Sequence, residues 1–179
     1  MYRAALALIL TLGTFAAGQS ALKLSTQTSR PAVANALRSA LQRIKNKTNV
    51  PILLPGELPA SMHPNKIRFA DGAITADGWS ISLLYKRGYG EAGSAGGFDA
   101  ESGQTPNPDD FDKVVTLTKG IKGYYSARSC GGSCTPPEID WVYKGVLYSV
   151  QLTVNNKSAS QDEAEMIATA NSAIRGGPR

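Results

Sequence analysis

The chain has 179 residues, of which 42% are hydrophobic and 18% charged, with 18 Gly, 10 Pro and 2 Cys. This length and apolar content suit one folded domain and exclude both intrinsic disorder and a disulfide-dense scaffold. The net charge of +5 is unevenly spread: between Gln19 and Ala70 eight Lys and Arg face one Glu, whereas the remainder after the first 18 residues sums to −3.

Residues 1–18 carry one cation at Arg3, an apolar stretch over 4–15, and the small residues Ala16, Ala17 and Gly18. That layout predicts a cleavable signal peptide, too short to span a bilayer, with cleavage after Gly18 or, alternatively, after Ala17. No Cys stands near the cut, so a lipoprotein anchor is excluded, and the expected location is periplasmic or secreted. Residues 19–30 read as a flexible leader and 31–179 as a single α+β domain.

Pro31 suits a first helical position, and Val33, Leu37, Leu41 and Ile44 form one apolar stripe behind it. Arg38, Arg43, Lys45 and Lys47 fall mostly off that stripe. They are a solvated helix face or a contact surface for an anionic partner, and without interleaved aromatics they do not suggest nucleic-acid binding. Pro51, Pro55 and Pro59 then predict a short extended edge segment over 50–59. Strands follow at 66–69, 73–75 and 79–86, with turns at Asp71-Gly72 and Asp77-Gly78.

The stretch 87–110 contains six glycines and few large apolar residues, which predicts a flexible Gly-rich insertion, with a functional lid as the other reading. Four strands at 114–119, 121–128, 138–144 and 146–154 predict an antiparallel meander. A last helix begins at Ser160 and Glu163, which have capping-box spacing, and ends at Gly176 and Gly177. The expected architecture is a curved antiparallel sheet, its C-terminal part a four-stranded meander, with two helices packed on one face.

Few residues carry recognisable chemistry. Cys130 and Cys134 bracket a short Gly-rich loop and predict a disulfide in an exported protein; a redox pair would want closer spacing and a helix N-terminus. His63 is the only histidine, and no nucleophile motif accompanies it. Asp109, Asp110 and Asp112 lack calcium-loop spacing, and Glu138 and Asp140 are expected on the face opposite Trp141. The aromatics Tyr124, Tyr125, Trp141, Tyr143 and Tyr148 are either core or a binding surface. These observations identify no catalytic residue, cofactor or metal ligand.

The second half resembles a domain of unknown function found in bacterial extracytoplasmic proteins, including the outer parts of some sigma-factor regulators. The resemblance rests on Gly120-x-x-Gly123, Ile139-x-Trp141, Gly145-x-x-Tyr148 and a helix containing Ile167-Ala168, over about 60 residues. It implies a non-catalytic sheet-and-helix domain outside the membrane. The added Cys130 and Cys134, and the lack of a spanning segment, depart from the pattern. The leading expectation is a non-enzymatic exported protein that binds an envelope protein or a small ligand. The alternatives are a small periplasmic hydrolase acting on wall polymer and a secreted inhibitor or immunity-type protein.

Overall fold

The computed structural model describes residues 33–131 and 133–179. The predicted signal peptide, the leader and Pro31 lie outside the described residues.

A 3-10 turn at Asn35–Leu37 leads into helix α1, Arg38–Ile44, whose buried Ile44 lies on the predicted stripe, with buried Ala40 beside it. Strands β1 (Phe69–Ile74), β2 (Gly78–Leu84) and β3 (Ser94–Ser102) follow. After them come β4 (Lys113–Thr116), β5 (Lys122–Ser126) and the small hairpin of β6 (Ser129–Cys130) and β7 (Cys134–Thr135). Strands β8 (Glu138–Tyr143) and β9 (Val146–Leu152) precede helix α2, Ala159–Gly176.

Seven strands form one sheet in the order β1-β2-β3-β9-β8-β5-β4, antiparallel at every pairing. The predicted four-strand meander is therefore one side of a larger sheet, and β3 against β9 joins it to the first half. Register explains the packing. Trp79, Ala100, Tyr148, Trp141 and Gly123 stand in one cross-strand row, and Ile81, Phe98, Val150, Ile139 and Tyr125 in the next. Tyr148 and Trp141 are neighbours in the first row and stack at 5.5 Å, while Ala100 leaves room for Trp79 to tilt against Tyr148 at 6.5 Å. Leu37, Ala40 and Ile44 join this core at one end, and Met166, Ala170, Ala173 and Ile174 of α2 elsewhere, in one buried cluster.

The sequence-based reading needs four corrections. The centre of the predicted flexible insertion 87–110 is β3, an interior strand with Ala95, Phe98 and Ala100 buried. Its glycines serve close approach instead of mobility. A β-carbon on Gly96, which sits at φ +111°, would collide with the Gln151 carbonyl, and one on Gly97 would stand 2.9 Å from the Ile81 carbonyl. A register irregularity at Leu83/Leu84 further hides the alternation.

Asp71-Gly72 is not a turn but mid-strand in β1, where a β-carbon on Gly72 would press on Ile44 at 2.7 Å; glycine lets α1 lie close on β1. Residues 52–54 are no edge strand: they are 0–2% exposed and pass through the core. The carbonyls of Ile52, Leu54 and the flanking prolines Pro51 and Pro55 are satisfied from elsewhere. Tyr148 Oη donates to Pro51 O (2.9 Å), the Arg179 amide to Ile52 O (3.0 Å) and the Ala34 amide to Pro55 O (3.0 Å). Finally, α2 is capped by Ser158, whose Oγ accepts from the Gln161 amide at 3.3 Å, two residues before the expected box.

Candidate functional site

The inner and outer faces of the sheet divide the predicted site residues. Tyr125, Trp141 and Tyr148 are each 1% exposed, which corrects their expectation as a binding surface. Alternation turns them inward, where ring burial stabilises the core. Tyr124 and Tyr143 are half-buried. Tyr124 packs on Phe111 at 5.7 Å, and Tyr143 has Lys144 and Lys119 at 5.5 and 5.9 Å from its ring. On α1, Arg38 Nε donates to Val33 O (3.4 Å), and Arg43 donates to Ala70 O, so both guanidinium groups tie the helix to its neighbours. Lys45 and Lys47 are exposed.

The outer face gathers carboxylates. Register aligns Ser80, Asp99, Ser149, Asp140 and Tyr124 across five strands, with Glu138 in the adjacent row. Asp140 is 7% exposed, and burial, helped by Glu138 and Asp99, pushes its carboxyl up to about 7 against the opposing Ser149 hydrogen bond. Burial and Glu138 also raise Asp99. Ser149 Oγ lies within hydrogen-bond reach of Glu138 Oε1 (2.9 Å) and of Asp140 Oδ1. One hydroxyl has one proton to give. Ser149 therefore donates to Glu138 or to Asp140 in turn, and its bond to Asp140 favours the charged form of that carboxyl.

That cluster does not make a hydrolase site with Trp141, which points into the core from the opposite face. The hollow beside it, about 260 Å³ between Thr75, Ser80, Asp99, Glu101 and Ser149, is small. Among the described residues no group of three His, Cys, Asp or Glu side chains is placed to hold a metal ion.

A larger cleft, about 680 Å³, opens at the sheet end where β3 begins and β9 finishes. Five segments converge on it. Ser61, His63 and Lys66 come from the two short 3-10 turns Ala60–Met62 and Pro64–Lys66; His63 between them holds φ 50°, a left-handed conformation uncommon for a non-glycine residue. Tyr85 follows β2 directly, and its hydroxyl donates to Met62 O at 2.5 Å, locking the His63 loop to the sheet. Ser94 and Gly96 supply the floor from β3, Gln151 from β9, and Thr153 and Val154 from the residues just after β9. The last wall is Arg128 with the β6-β7 hairpin, closed by the Cys130–Cys134 disulfide (Cα–Cα 4.0 Å).

The lining includes Lys66, Arg128 and His63 but no Asp or Glu among the described residues. Two carboxylates stand behind the wall, each already engaged. Glu165 accepts from Ser61 Oγ and from Asn156 Nδ2 (2.6 Å). Asp162, 1% exposed, lies 3.3 Å from Arg128 Nη2, and that nitrogen also donates to Asn156 O at 3.5 Å. Neither Asp162 oxygen has a hydrogen-bond partner among the described residues. A buried carboxylate so placed holds the guanidinium at the cleft wall, and the guanidinium in turn offsets the cost of burying the charge.

The sequence reading had the disulfide, set between β5 and β8 as expected, but not the cleft. In sequence His63 stands alone, and nothing marks Lys66 or Arg128 as its companions. Their common signal is only that each sits in a loop bounded by Pro or Cys. Comparison with protein-family models, curated proteins and solved structures gives no match. Among the described residues no helix is long and apolar enough to cross a membrane.

Proposed function

We propose that the chain is a non-enzymatic binding protein, exported to the periplasm or the medium, whose ligand enters the cleft beneath the disulfide hairpin. The observation that carries this reading is the cleft itself. At about 680 Å³ it has the volume of small-molecule sites, and its polar groups are held from behind by Tyr85–Met62, Glu165–Ser61 and Asp162–Arg128. The disulfide favours an oxidising compartment. The signal-peptide layout of residues 1–18 and the resemblance to extracytoplasmic sheet domains support the same location.

Native mass spectrometry of the protein purified from its own host's envelope tests the reading. A retained small molecule, lost on unfolding, is the expected result; a bare chain at every purification step would argue against it. A second reading, a secreted inhibitor, draws on the exposure of the hairpin residues Ser129, Cys130, Gly131, Ser133, Cys134 and Thr135. It predicts instead that the retained species is a protein and that cleaving the hairpin abolishes its capture.

A further inference from the structure

We infer that the cleft selects an anionic ligand, a small molecule bearing a carboxylate or phosphate group, with Arg128 as its anchor and Lys66 as the second cation. The inference rests on the cleft being the binding site, and it adds the chemistry. Three observations on the wall converge. The first is the sign of the lining: two permanent cations, an imidazole and several hydroxyl and amide groups, with both nearby carboxylates withdrawn behind the wall. A cleft lined with one sign of charge between low-dielectric walls concentrates ions of the opposite sign.

The second is how Arg128 is held. Only Nη2 faces Asp162 and Asn156 O. A guanidinium offers five donors in a planar fork, so the Nη1 and Nε groups stay available for a planar or tetrahedral oxyanion. Asp162 is a positioning residue here: it is buried, touches no ligand and fixes the direction of the fork. The third is Lys66, which is exposed and whose ammonium has no hydrogen bond or ion pair among the described residues. It offers a compact, mobile charge on another wall of the same cleft. Ser94, Thr153 and Ser133 line the same cleft and can hydrogen-bond the remainder of a polar ligand.

The test is an amide chemical-shift titration of isotope-labelled protein with inorganic phosphate, with glutarate, and with neutral glutaramide of the same shape as glutarate. The expected result is saturable shifts at Ser94, Thr153 and Cys134 with at least one anion, and none with glutaramide. Response to phosphate alone or glutarate alone tells which oxyanion the cleft prefers. Arg128→Gln by itself strands Asp162, so the variant used is Arg128→Gln with Asp162→Asn, which removes both charges together. It should weaken anion binding about tenfold or more, and Lys66→Ala about threefold.

Equal shifts from glutaramide, or undiminished anion binding in the double variant, would overturn the anionic assignment while leaving the cleft as a binding site. Absence of shifts at the cleft with both anions at millimolar concentration also overturns it. A retained neutral molecule in the mass spectrum would then keep the binding reading, and a bare chain would remove that too.

Discussion

The two aspartates buried among the described residues, Asp140 and Asp162, show how the same side chain is put to opposite uses. Asp162 lies behind the cleft and faces a guanidinium. Asp140 lies on the outer face of the sheet and faces Glu138 and Asp99. In the first setting burial is offset by an opposite charge that is itself left facing a cavity. In the second, burial and like charges combine, and the carboxyl stays protonated to near neutral pH. The cleft region thus displays cations and conceals its acids, while the sheet face concentrates acids. The contrast singles out the cleft as the place where a negatively charged molecule gains by binding.

Breaking the Asp162 region should have the largest effect. Arg128→Gln leaves a carboxylate 1% exposed with no counter-charge, and urea unfolding at pH 7 is expected to show a loss of about 3 kcal/mol. Adding Asp162→Asn should return most of it. If the single and double variants are equally stable, the pair is not coupled as described.

The Asp140 region should respond in the reverse sense. Its carboxyl is held up at about 7 in the folded chain against 3.8 for an unperturbed aspartate. Between those values the folded state keeps a proton that the unfolded chain has released. The contribution of Asp140 therefore favours folding below about pH 4 and is lost as pH rises through about 7. Asp140→Asn is expected to stabilise the protein at pH 8 by about 1 to 3 kcal/mol and to flatten its stability profile over that window. A destabilised variant with an unchanged profile would contradict the assignment.

A smaller effect sharpens the same point. The Ser149 hydrogen bond opposes the upward shift of Asp140, so in Ser149→Ala the carboxyl-carbon titration of Asp140 should move to still higher pH, with a stability change of about 1 kcal/mol or less. Smallest of all is Lys66→Ala, which removes an exposed cation whose ammonium has no partner among the described residues. Its melting temperature should stay within about 1 °C of the parent, since exposed charges contribute little to folding. A large drop would mean that Lys66 holds the fold together instead of facing a ligand.

Parts of this were legible before the structure. The alternation of Ile139, Trp141 and Tyr143 and of Val146, Tyr148, Val150 and Leu152 identifies two strands, because a sheet with one buried face imposes a two-residue period. Helix α2 is read from Ile167, Ala170 and Ile174, of which Ala170 and Ile174 are buried, with Met166 in place of Ile167 on the inner face. Strand β3 was not, because Gly96 and Gly97 read as flexible in sequence, whereas here the absence of a side chain admits the backbones of β2 and β9. The cleft was illegible for a different reason. Its lining comes from segments between Ser61 and Asn155 that have no local pattern in common, and only the β3-β9 pairing brings them together. The burial of Asp140 is likewise a cross-strand property, set by Asp99 and Ser149 from other strands.

The most direct test of the account is a hydrogen-exchange footprint of the protein with and without the small-molecule fraction of its host's envelope. The account predicts slowed exchange confined to residues 61–66, 128–135 and 151–155, which are the walls of the cleft. Protection on the acidic face at 99–101 and 138–142, or along α1, with the cleft unchanged, would contradict it.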